Sequence, residues 1–194
     1  MSVSQQVLMS KNSTGYTVNT YTSGTGATET VPANVTSCVI EGEGPGGAGN
    51  RYNIDTGTEC GGAGGGYSKK TIGVTAGNTF TYTVGPSVAG RSTYGNGGTG
   101  VASTVAGNPS GGAVAISAGA GQGGRGAAGA SGGTSSGGDT NTSGASVAAF
   151  DAGGGTGAPP LGGIGGAAPG GGGGAVSHGT SGSGARGVVI FTYS

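Results

Sequence analysis

Apolar and polar positions alternate most cleanly from Thr79 to Val84. Phe80, Tyr82 and Val84 fall on one face and Thr79, Thr81 and Thr83 on the other, the period-two signature of a half-buried strand. Upstream, Tyr67 to Val74 carries Ile72 and Val74 on one face, and Ala76-Gly77-Asn78 supplies turn residues that tolerate positive φ. The two segments together predict a β-hairpin. Val35 to Glu41 predicts a further strand, and its Cys38-Val39-Ile40 run suggests burial on both faces. Val101 to Val105 and Ala113 to Ser117 predict two short strands joined by the turn Gly107-Asn108-Pro109-Ser110. Residues 16–31 read as extended, Thr-rich chain broken by Gly24 and Gly26. The chain closes on Gly187 to Tyr193, GVVIFTY, β-branched and aromatic throughout. A strand there needs a partner far away in sequence.

Strand signals nearly vanish from Gly119 to Gly184, where runs of Gly, Ala and Ser are broken near residues 134–150, 158–161 and 177–178. Composition sharpens the question. Of 194 residues 53 are glycine, and only 7% are charged. Glycine with Ser and Thr usually means a flexible linker. Disordered chains, however, stay soluble through charge, which this one lacks, and its apolar residues gather into strands. Collagen needs glycine at every third position, a period kept only over residues 126–132.

Glycine-rich chain can instead order as extended left-handed helices of three residues per turn, with every backbone donor and acceptor pointing outward. Without Cβ atoms, neighbouring helices approach closely and bond laterally. Ordering glycine is entropically costly, so strands at both ends of each excursion must clamp the bundle. The predicted fold is all-β. It is a jelly-roll-like β-sandwich from segments near 25–41, 67–84, 101–117 and 187–193, with an inserted bundle of polyglycine II helices and little or no α-helix. Residues 1–20, poor in glycine, form an N-terminal arm, and residues 21–194 form the domain.

Charge and motifs narrow the function. Seven basic and seven acidic residues cancel, so no basic stripe supports nucleic-acid binding. No apolar run reaches membrane-spanning length. The start, MSVSQQVLMSKNS, lacks a secretory pattern, which implies assembly in a cytoplasm. Cys38 and Cys60 flank a loop and could bridge, but cytoplasmic assembly favours two small buried thiols. Gly42 to Gly47 matches GxGxxG, without the βαβ unit that gives that motif meaning. His178 is the only histidine and has no companion for a metal or a nucleophile. Asp55, Glu59, Asp139 and Asp151 read as solvated loop carboxylates. The expectation is a non-enzymatic protein with no cofactor and no metal.

The succession of VPANVTS, a hydrophobic strand, a glycine run, GGGYSKKTIGVTAGNTFTYTVG, GNGGTG, further glycine runs, SGGDTNTSG and the closing strand resembles the glycine-rich domain proteins of tailed bacteriophages. The resemblance covers residue 24 to the end, and YSKKTIGVTAGNTFTYTVG is its most specific part. Glu41-Gly42-Glu43 stands where such proteins often carry a tryptophan. The resemblance implies a tail-fibre or head-fibre adhesin on the virion surface, often oligomeric, built from a β-sandwich with polyglycine helices.

On this reading the arm joins other virion proteins, with Val7, Leu8 and Met9 adding to a partner's sheet edge; the alternative is a frayed terminus. Arg51, Tyr52, Asp55, Arg91, Tyr94 and Phe150 interrupt the glycine runs. They are candidates for contact with a host receptor, a glycan or an outer-membrane protein. The aromatic ones equally suit capping of the bundle. A sparse apolar core favours burial between protomers, and a homotrimer is expected. The rival functions are a virion decoration or fibre protein without a receptor role, and an ice-binding protein, which needs a regular Thr or Ala face.

Overall fold

The computed structural model describes residues 8–11, 16–52, 59–110, 112–161, 163 and 165–194. Two antiparallel sheets face each other. The larger has the order β1-β2-β11-β4-β5-β10, with β1 Leu8–Lys11, β2 Thr17–Tyr21, β4 Ser37–Glu43, β5 Tyr67–Gly73, β10 Thr140–Thr142 and β11 Val188–Tyr193. The smaller has the order β3-β6-β7-β8-β9, with β3 Ala27–Thr30, β6 Thr79–Thr83, β7 Ser103–Gly107, β8 Val114–Ala118 and β9 Ser135–Ser136. Among the described residues there is no α-helix, only one 3-10 turn at Gly126–Ala128.

Alternation decides which side chains meet between the sheets. Tyr21, Cys38, Ile40, Val189, Phe191 and Tyr193 from the larger sheet pack against Phe80, Tyr82, Val105, Val114 and Ile116 from the smaller. Phe191 is the hub, its ring centroid 5.2 Å from Phe80 and 6.1 Å from both Tyr21 and Tyr82. The C-terminal strand lies between β2 and β4, so both its edges are paired. One carboxylate enters this core. Glu29, at the inward position of β3, accepts hydrogen bonds from Asn19 Nδ2 at 2.7 Å, Tyr193 Oη at 2.9 Å and Tyr21 Oη. It ties the edge of the small sheet to two strands of the large one.

The predicted hairpin does not form. Tyr67–Gly73 pairs with β4 and β10 in the large sheet, while Thr79–Thr83 pairs with β3 and β7 in the small one. The turn at Ala76-Gly77-Asn78 crosses between sheets, held by Val31 N–H donating to Asn78 O and Gly77 N–H to Val31 O. Phe80 and Tyr82 thereby oppose Ile40 and Phe191 across the core instead of lying beside β5. In β4, burial is one-sided: Cys38 and Ile40 are enclosed, while Val39 and Glu41 are half-buried. Both cysteines are free and buried, in separate clusters. The hairpin of β7 and β8 forms as expected, shifted to Ser103–Gly107 and Val114–Ala118. Strands β1 and β2 bring part of the expected arm into the sandwich, since Thr17–Tyr21 is an interior strand of the large sheet.

The glycine segments leave the strand ends and pack backbone against backbone. Their hydrogen bonds recur every third residue. Gly44, Gly47 and Asn50 donate to Gly66, Ala63 and Cys60, at 2.8, 2.9 and 3.1 Å. Gly46 and Gly49 donate instead to Ala185 and Gly182, Gly62 and Gly65 to Gly173 and Gly170, Ala63 and Gly66 to Gln122 and Gly119. Each third of a segment thus serves a different neighbour. Residues 42–50 and 60–68 are buried along their whole length. A Cβ at Gly62 would stand 2.0 Å from Gly47 O, so the spacing admits hydrogen only. The GxGxxG-like run lies in this bundle and opens no helix.

Candidate functional site: the distal loops

The segments at 44–50, 60–66, 119–124, 170–176 and 181–187 start or end at the sandwich. Away from the sandwich they end near residues 51–52, 91–96, 125–129, 148–152 and 176–180. Arg51 stands where the first segment ends. Its N–H donates to Gly95 O at 3.1 Å and its carbonyl accepts from Gly95 N–H at 2.8 Å, and it bridges Val176 on its other side. Two stretches more than forty residues apart are thus locked in register.

That lock assembles a side-chain cluster. The Arg51 guanidinium lies 5.1 Å from the Tyr94 ring centroid, within cation–π range, and Nη1 donates to Ser92 O. Tyr52 Oη donates to Asn96 Oδ1 at 3.2 Å, and Arg91 Nε donates to Asn96 O at 2.8 Å. Beneath them, Ser181 Oγ accepts from Arg91 N–H at 2.7 Å and donates to Gly49 O at 2.7 Å. The loop is therefore anchored to the bundle, while Tyr94 remains 60% exposed. An exposed aromatic ring with the Arg51 guanidinium against it suits contact with planar, polar or anionic groups.

Of the residues singled out from sequence, Arg51, Tyr52, Arg91 and Tyr94 come together. Phe150 stands in a separate distal loop, 59% exposed and at φ 64°, a left-handed conformation uncommon for a bulky residue. Its neighbour Asp151 fastens that loop, its carbonyl accepting from Gly61 N–H at 2.8 Å. Asp55 and Val7 lie outside the described residues. Leu8 and Met9 belong to β1 and pair with Thr20 and Asn19 of the same chain. Asp139 is not a free loop carboxylate. It accepts from Thr71 N–H at 2.8 Å and from Lys70 Nζ at 3.1 Å, which holds its pKa below the usual carboxylate value.

Sequence reasoning missed Ser92, Asn96 and Ser181, whose roles depend on the Arg51–Gly95 register. It also missed Glu43. This side chain is fully buried, with Oε1 accepting from Ala158 N–H at 2.8 Å and Oε2 without a partner among the described residues. Burial pushes its pKa up to about 9. The one sequence signal was its place at the mouth of the first glycine run. No protein-family model matches the chain, and comparison with curated proteins finds no match.

Proposed function

We propose that the protein is a non-enzymatic virion protein of a bacteriophage, a fibre or spike subunit that adheres to the host surface through its distal loops. The observation that supports this most is the polarity of the chain. A sandwich carries a rigid backbone bundle, and the bundle's far end gathers Arg51, Tyr52, Arg91 and Tyr94 into one exposed, anchored cluster. Recognition residues on loops held by a stiff scaffold are a common arrangement. The glycine segments are polyglycine II helices on this reading. The three-residue recurrence of their hydrogen bonds supports it, as does the absence of the interior glycines Gly44, Gly47, Gly62 and Gly65 from the positive-φ set. The arm with β1 attaches to another virion protein, and the working unit is a homotrimer on the particle, assembled in the host cytoplasm.

The test is direct. Labelled protein is incubated with a panel of bacterial strains, alone and in competition with phage. Saturable binding to a strain, and block of infection there, are expected. Tyr94→Ala with Arg91→Ala should abolish binding without moving the unfolding midpoint. Binding that survives this double substitution would relocate or remove the adhesive surface.

A second reading has one observation in its favour. The outer face of the small sheet aligns Thr28, Thr81, Ala106 and Ala115 abreast, all exposed, with Thr30 beside Thr79. An exposed Thr and Ala array is the kind of face on which ice binding would rest. Thermal hysteresis of the purified protein decides it.

A further inference from the structure

At the root of the bundle, away from the distal loops, two hollows adjoin and share Thr22 and Arg186 in their walls. One, of about 300 Å³, is apolar, walled by Leu161, Pro169, Val188 and Ile190. The other, of about 330 Å³, is mixed, with Ser23, Thr25 and Ser87 in its walls beside Val84 and Pro86. Arg186 stands between them. Its backbone is pinned, because its carbonyl accepts from Gly170 N–H at 3.0 Å and the next residue, Gly187, donates to Gly85 O at 2.9 Å. Its side chain is exposed and forms no ion pair among the described residues, where the pair is Lys70 with Asp139.

A cation whose backbone is anchored between an apolar and a hydroxyl-bearing hollow suits a ligand with its charge in the middle. A terminal acid does not have that order of parts. A phosphodiester linking a polyol ring to an acyl chain does. We propose that this double hollow binds a single-chain amphiphile of that kind. The phosphate sits on Arg186 through charge-assisted hydrogen bonds, the chain occupies the Leu161 hollow, and the ring hydroxyls lie among Ser23, Thr25 and Ser87. The site is independent of the distal loops, and its failure would leave the adhesin reading untouched.

Calorimetry on the full chain tests it with three probes below their micelle concentrations. Octanoyl lysophosphatidylinositol carries all three parts, glycerophosphoinositol lacks the chain, and octyl glucoside lacks the charge. The complete probe should bind roughly tenfold or more tighter than either of the others. Arg186→Gln should weaken the two phosphate probes about tenfold and leave octyl glucoside unchanged. Leu161→Asn should weaken the two chain-bearing probes and leave glycerophosphoinositol unchanged. If Leu161→Asn fails to fold, Arg186→Gln with the three probes still decides. Equal binding of all probes, indifference to Arg186→Gln, or no saturable binding of the complete probe overturns the proposal.

Discussion

Substituting Gly62 by Ala probes the bundle at its centre. Gly62 N–H donates to Gly173 O and its carbonyl accepts from Gly155 N–H, both at 2.8 Å. A methyl group there would meet Gly47 O at 2.0 Å and Gly47 C at 2.4 Å. Ordinary contact starts near 3.5 Å, so segments 44–50 and 60–66 must part by about 1.5 Å. The 2.9 Å bond from Gly47 N–H to Ala63 O cannot survive that displacement. Two buried backbone groups left unpaired cost about 1–3 kcal/mol each, and the steric strain adds about 1–3 kcal/mol. Reduced freedom of the unfolded chain returns less than about 1 kcal/mol. The expected loss is roughly 2–8 kcal/mol, a large part of a domain's usual stability. Gly112 is the control, since a Cβ there meets nothing within 4 Å. Gly112→Ala should be neutral or slightly stabilising. Urea unfolding followed by tyrosine fluorescence reads both, because the chain has seven tyrosines and no tryptophan. If Gly62→Ala lies within about 1 kcal/mol of the parent, the segments are not packed as described.

Glu43 makes stability fall with rising pH. Its folded pKa, about 9, is above the ordinary 4.5, so the folded state holds the proton that the unfolded state releases. Its contribution is complete below about 4.5 and is lost as pH climbs to about 9, with a slope near 1.4 kcal/mol per pH unit. Glu43→Gln should flatten that slope in urea midpoints measured from pH 5 to 9; parallel curves for the two proteins would refute the assignment. Glu29→Ala strands Asn19, Tyr21 and Tyr193 without their acceptor and should cost more than about 3 kcal/mol in the same assay; a loss below about 1 kcal/mol would show that the carboxylate does not tie the sheets. Asp139→Ala, at an exposed pair, should leave the midpoint almost unchanged and accelerate amide exchange at Thr71, whose N–H it accepts; unchanged exchange at Thr71 would contradict that bond.

What could be read from sequence followed side-chain periodicity. Phe80, Tyr82, Val189, Phe191 and Tyr193 announce strands with one buried face, and those faces form the core. Alternation gives a strand its face but not its neighbour. Hence Tyr67–Gly73 and Thr79–Thr83, close in sequence and joined by good turn residues, were expected to pair and instead lie in opposite sheets. The bundle has no side-chain period to read. Its order is carried by backbone groups such as Gly47 N–H and Ala63 O, and the same composition would serve a linker. The distal cluster was half legible. Arg and Tyr stand out in glycine-rich loops, but the union of Arg51 with Tyr94 depends on the bridge from Arg51 to Gly95. No local pattern announces that bridge.

Residue-resolved amide exchange of the intact protein tests the central claim, that glycine segments form a hydrogen-bonded core holding the loops. Gly62, Gly65, Gly172 and Gly173 donate to Gly173, Gly170, Gly155 and Gly47 at 2.7–2.9 Å, and should be protected nearly as well as Phe191 at the centre of the sandwich. Gly112 and Gly179, where a Cβ would meet nothing, should exchange fast. Free-chain exchange at Gly62 and Gly172, with Phe191 still protected, would mean a sandwich with loose glycine insertions and would contradict the account.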